Sequence, residues 1–106
     1  MAKFSLEMLE KVIDDRKNAA AEVSYTRSLL DAGAARVAKK FGEEAIETVI
    51  AAVNSDKADF IGEAADALYH LLVLLRSRNT HLSEVLAELE RRTAMSGHAE
   101  KAGRKK

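Results

Sequence analysis

GEAADALYHLLVLL, residues 62–75, holds two acids and a histidine in a stretch that is otherwise almost wholly apolar. Successive residues of an α-helix advance by about 100°, so Leu68, Leu71, Leu72, Val73, Leu74 and Leu75 cover nearly the whole circumference. A helix of this kind must be buried on most sides. Glu63 and Asp66 fall about 60° apart on it, with His70 between them one turn further along. Ionised carboxylates on a buried helix are costly unless a cation or hydrogen-bond donors compensate them. No lysine or arginine lies between Gly62 and Leu75, and the simplest compensation is a metal ion.

Upstream, KKFGEEAIETVI (39–50) places three glutamates directly behind two lysines. Helical spacing gathers Ile46, Val49, Ile50 and Val53 on one side and sets Glu44 and Glu47 on the other, with Glu43 on the flank. Taken alone, this is an amphipathic helix whose acidic face is solvated. Taken with the buried acids of 62–75, it supplies a second carboxylate pair. The two pairs, E-x-x-E (Glu44, Glu47) and E-x-x-D (Glu63, Asp66), form an all-oxygen set. Neither is the Glu-x-x-His pair of a di-iron bundle. Hard oxygen ligands without sulfur select Mg²⁺ or Mn²⁺, and Mg²⁺ commonly bridges to substrate phosphates.

The rest of the chain fits an all-α domain. With 106 residues it can organise one core, and the absence of proline leaves long helices uninterrupted. Ser5 caps a first helix carrying Leu6, Leu9, Val12 and Ile13. SYTRSLLDAG (24–33) reads as a loop and a short helix, with Thr26 as its cap and Gly33 as its left-handed terminus. Two long helices follow, over 34–53 and from about residue 59 to Arg78. Ser83 caps a last helix with Val85, Leu86 and Leu89. The expectation is four main helices plus a short one over residues 1–97, and a basic, disordered tail at 98–106. So short a chain cannot cover the helix through 62–75 on every side, which predicts a helical bundle built as a homodimer.

Composition excludes several functions. The 17 basic residues balance the 17 acidic ones, so no excess charge exists to bind nucleic acid. Without cysteine, disulfides, thiolate metal sites and a cysteine nucleophile are ruled out. The apolar run at 64–75 is broken by Asp66 and His70 and is too short to span a bilayer. The chain starts with acids among its apolar positions, unlike a secretory signal, so the expected location is the cytoplasm.

KKFGEEAIETVIAA followed by GEAADALYHLLVLL, with SYTRSLLDAG before them, resembles the phosphoribosyl-ATP pyrophosphohydrolase family, part of the all-α, MazG-like nucleotide pyrophosphohydrolases. The resemblance covers about residues 6–92. It implies metal ligands at Glu44, Glu47, Glu63 and Asp66, and hydrolysis of the α–β phosphoanhydride of phosphoribosyl-ATP in the second step of histidine biosynthesis. It also implies the homodimer. On that reading Glu43 or Glu47 orients or deprotonates the attacking water. Lys39 and Lys40 are candidates for the substrate phosphates, with at most one facing the site directly. Tyr25 and Thr26 contact the nucleotide or merely cap and pack the short helix, and His70 contacts substrate or is a hydrogen-bonded core residue. Two other readings compete: a house-cleaning pyrophosphohydrolase of free nucleoside triphosphates, which the SYT segment disfavours, and a non-catalytic helical module whose acids bind a basic partner.

Overall fold

The computed structural model describes residues 3–20 and 24–94, and the predicted basic tail lies outside them. Among the described residues there are five helices and no strand: α1 (Leu6–Arg16), α2 (Tyr25–Asp31), α3 (Ala34–Asn54), α4 (Lys57–Ser77) and α5 (Leu82–Thr93). None of these helices is long and apolar enough to cross a membrane.

Helix starts follow local chemistry. Ser5 accepts from the Met8 amide at the start of α1, as its sequence predicts. The cap of α2 is Ser24, which accepts from the Arg27 amide; Thr26 lies inside the helix and is buried, so the expected cap is displaced by two residues. Gly33 has φ +94° and joins α2 to α3, a conformation that only glycine adopts at little cost. Likewise α5 begins before Ser83. Glu84 accepts from the His81 amide, and Glu10 of α1 accepts from the Leu82 amide at 2.7 Å, so two carboxylates satisfy the first amides of a helix that starts ahead of Ser83.

Only Ser55 and Asp56 separate α3 from α4, which turns the two helices into an antiparallel hairpin and makes theirs the principal contact of the fold. α3 faces its partner through Val37, Phe41, Glu44, Thr48 and Ala51, a 4-3 spacing that keeps one narrow seam against the neighbouring helix. At mid-seam the Thr48 hydroxyl is shared between the Glu44 carbonyl (2.8 Å) and the Glu63 carbonyl (2.9 Å), fixing the register of the hairpin. Beyond the seam, Ile13, Leu29, Val37, Leu72, Val73 and Leu82 form a core that draws α1, α2 and α5 onto the C-terminal half of α4. Arg76 of α4 closes this end, donating to Asp14 of α1 at 2.7 Å.

One expectation is corrected. The sides of α3 are divided as predicted, but the acidic side turns inward at Glu44, which is buried, while Glu47 stays exposed and Ile46, Val49, Ile50 and Val53 are 52–78% exposed. The reason is steric, because the small residues Thr48 and Ala51 share the side of Glu44 and admit α4 closely. As expected of so short a chain, α4 is not covered all round by its own neighbours. Leu72 and Val73 are buried, Leu71, Leu74 and Leu75 half-buried, but Leu68, Phe60 and Ile61 face outward.

Candidate active site

Three carboxylates converge across the hairpin. One oxygen each from Glu44, Glu63 and Asp66 lie within 4.8 Å of one another. Glu44 comes from the inner seam of α3, and the i, i+3 pair Glu63 and Asp66 meets it from α4. Antiparallel pairing pinned by Thr48 is what brings residues so distant in sequence together. Glu63 Oε2 is buried with no hydrogen-bond partner in the protein, an orphaned acceptor of the kind that buried carboxylates rarely leave unfilled. An all-oxygen donor set with a spare buried acceptor fits a hard divalent cation.

Glu47 stands beside this trio rather than in it. Hydrogen bonding with Glu44, the Glu44 charge, burial and the Glu63 charge raise its pKa above the ordinary carboxylate value. Burial pushes Glu44 the same way, yet the hydrogen bonds from Lys40 and Glu47 and the charge of Lys40 outweigh it and hold Glu44 below that value. Lys40 Nζ lies 3.2 Å from Glu44 Oε1, and that bond raises the pKa of Lys40 in turn. So one carboxylate of the i, i+3 pair is kept ionised while the other retains a proton more readily.

Next to the acids lies a cavity of about 360 Å³ lined by Tyr25, Leu29, Arg36, Lys39, Lys40 and Glu43. Both lysines therefore reach its wall, and Lys40 also reaches the acids. A second cavity, of about 390 Å³, adjoins the acids and is lined by Glu47, Ile50, Ala51, Ser55, Asp59 and Glu63. Glu43 is exposed and lines the first cavity.

Tyr25 is held at the first cavity by His70. The His70 Nδ1 atom is 2.7 Å from the Asp66 carbonyl, which can only accept, so Nδ1 carries the proton of the neutral ring. Nε2 is then the acceptor for the Tyr25 hydroxyl at 3.0 Å. Burial raises the pKa of the Tyr25 phenol further, keeping it a donor. Thr26, in contrast, is interior, its hydroxyl bonded to that of Tyr69. The sequence reading passed over Arg36, Asp59 and Tyr69. Arg36 was detectable, since it stands one turn before Lys40 on the same face.

Comparison with known proteins shows the family. The family model for phosphoribosyl-ATP pyrophosphohydrolase matches residues 6–93. The chain belongs to that family. It is 58% identical over 105 residues to the phosphoribosyl-ATP pyrophosphatase 1 of Bradyrhizobium diazoefficiens, covering 99% of both chains. The phosphoribosyl-ATP pyrophosphatase of Azorhizobium caulinodans is 55% identical over 98% of this chain and 95% of its own. That of Cereibacter sphaeroides is 54% identical over 93% and 96%. As a phosphoribosyl-ATP pyrophosphohydrolase family member, the chain carries its carboxylate trio and its cationic cavity wholly within the matched residues.

Proposed function

We propose that this protein hydrolyses the α–β phosphoanhydride of phosphoribosyl-ATP, giving phosphoribosyl-AMP and pyrophosphate, as the second step of histidine biosynthesis in the cytoplasm. The observation that carries the reading is the convergence of Glu44, Glu63 and Asp66, with an orphaned Glu63 oxygen, beside a cavity lined by lysines in a chain of this family.

Glu44, Glu63 and Asp66, with Glu47 adjacent, are the residues that would hold Mg²⁺, for which Mn²⁺ is a substitute. When bound, the metal supplies neutralisation of the phosphate charge and a more acidic water. The chain's own residues do the rest. Of the two candidate lysines, Lys40 is the one that reaches the acids, attracts the triphosphate and lowers the repulsion that a cluster of carboxylates presents to it. As the water oxygen bonds to phosphorus and the bridging P–O bond breaks, its proton passes to a carboxylate oxygen of Glu47 or Glu43. Glu47 lies against the trio and is the nearer of the two. Tyr25, fixed through His70, forms the wall against which the nucleotide is oriented.

The exposed apolar face supports a homodimer. Ile46, Val49, Ile50 and Val53 of α3 are followed across the hairpin by Phe60, Ile61 and Leu68 of α4, all outward-facing. A second copy of this chain is the occupant that a homodimeric helical bundle would place there.

The deciding experiment measures pyrophosphate release from phosphoribosyl-ATP, with ATP and dCTP as controls and with EDTA. Phosphoribosyl-ATP is expected to be turned over far faster than either control, with pyrophosphate as first product and activity abolished by chelation. Orthophosphate as first product, or preference for dCTP or ATP, would overturn the reading.

A further inference from the structure

Arg36 and Lys39 are unexplained by the carboxylate site. Both are exposed at the wall of the first cavity, and among the described residues neither has an ion-pair partner. Lys40, the third cation of that wall, is engaged with Glu44. Three cationic side chains thus face the single carboxylate of Glu43, and two of them are uncommitted.

Position along α3 separates their tasks. Arg36 precedes Glu44 by eight residues, about 12 Å of helix at 1.5 Å per residue. Helical side chains lean toward the N-terminus, so the guanidinium is directed further from the acids. Lys40, halfway along, is the cation within reach of a polyphosphate gripped at the carboxylates. A phosphate bound at Arg36 belongs to a different part of the substrate. Phosphoribosyl-ATP has one: the 5′-phosphate of its ribosyl group, set apart from the triphosphate by two sugars and the base. That group is also what ATP lacks.

We infer that Arg36, assisted by Lys39, binds the ribosyl 5′-phosphate and so makes the site selective for phosphoribosyl-ATP over ATP. This rests on the function proposed above. A guanidinium suits the task because its planar fork meets two phosphate oxygens at once. Leu29 and the Tyr25 ring form the apolar part of the same wall, against which the intervening sugar and base can lie.

The test uses the full chain and two product ligands, phosphoribosyl-AMP and AMP, bound in EDTA and followed by calorimetry. Kinetics with phosphoribosyl-ATP and Mg²⁺ run in parallel. Arg36→Met is expected to weaken phosphoribosyl-AMP binding by about tenfold or more, the loss of one charge-assisted contact. AMP binding should be unchanged, KM should rise by a similar factor and kcat should stay within about twofold. Lys39→Met should show the same pattern more weakly, and Arg36→Lys should recover part of the loss. Equal weakening of AMP and phosphoribosyl-AMP would place Arg36 on the adenylate and overturn the assignment, as would no change in either. A wild-type protein that turns over phosphoribosyl-ATP while Arg36→Met behaves normally sinks the subsite alone. A wild-type protein that neither turns it over nor prefers phosphoribosyl-AMP to AMP sinks the proposed function with it. Arg36 is exposed, so an unaltered melting temperature is expected for each variant and separates lost contact from lost fold.

Discussion

Lys40 Nζ lies 3.2 Å from Oε1 of Glu44, so the most buried carboxylate of the trio is already paired with a cation of its own helix. Any divalent ion that takes Glu44 as a ligand competes with that ammonium for the same oxygen. Lys40→Met should therefore tighten Mg²⁺ binding, by roughly three- to tenfold for the loss of one partly screened pair. Lys39→Met removes the same charge one residue away without an ion pair to Glu44, and should change Mg²⁺ affinity less. Calorimetric titration of the substrate-free protein measures both. If the two variants bind Mg²⁺ equally, Lys40 acts only as a distant charge.

Glu63→Gln tests whether the carboxylates are a metal site or a structural cluster. Two like charges about 4 Å apart repel by about 4 kcal/mol at an effective dielectric near 20, part of which raised pKa values relieve. The substitution removes one charge and keeps the shape, while its amide gives the buried cluster a donor. In EDTA the variant should melt higher than wild type. Mg²⁺ should raise the wild-type melting temperature more than the variant's. Catalysis should fall by orders of magnitude. A variant that melts lower in EDTA and turns over normally would remove Glu63 from metal binding.

Much of this was legible in the sequence, and what was not has physical causes. Apolar coverage of 62–75 gave α4, and the i, i+3 spacing of the acids placed each pair on one side of its helix. Which side of α3 faces inward could not be read from hydrophobicity, because the apolar side of Ile46, Val49, Ile50 and Val53 is the larger one. The hairpin is instead set by small residues and by the hydrogen bonds of Thr48. Caps were missed where the satisfying group came from elsewhere. Glu10 serves α5 from another helix, and no local pattern around Ser83 announces that. Arg36 lies two turns before Glu44 and outside the acid motifs, so only its helical spacing from Lys40 marks it as part of the same face.

Glu88 provides a pH prediction remote from the site. Hydrogen bonds from Arg91 and Arg92 lower its pKa to about 2. A carboxylate with a depressed folded-state pKa stabilises the fold above its unfolded value of about 4.3, and that contribution disappears as pH falls through the folded value. Denaturant unfolding of wild type and Glu88→Gln should therefore show a stability gap that is constant from pH 7 to about 5. The gap should shrink between about 4.3 and 2, where the carboxyl group becomes protonated in both states. The gap should be small, since the triad is on the surface and screened by salt. A gap that persists unchanged at the acid end would mean that Glu88 acts through packing rather than charge.

The apolar face yields the sharpest structural prediction. In an isolated chain Val49 is 65% exposed, so Val49→Glu would replace one surface side chain by another. Such changes usually alter stability by no more than about 0.5 kcal/mol. If a second copy covers α3, the same substitution puts an unpaired charge into an apolar interface, which strongly opposes association. Light scattering should give a dimer for the wild type at micromolar concentration and a monomer for Val49→Glu. The wild-type melting temperature should rise with protein concentration, since association stabilises the folded state by mass action. Gly62 adds an independent probe: a Cβ built there meets nothing within 4 Å in the chain. Gly62→Ala should thus stabilise a lone helix by about 0.5–1 kcal/mol. Weakened association with alanine would mean that a partner approaches the backbone closely at this turn of α4. A wild-type protein that stays monomeric and folded at micromolar concentration, with Val49→Glu indistinguishable from it, would sink the homodimer.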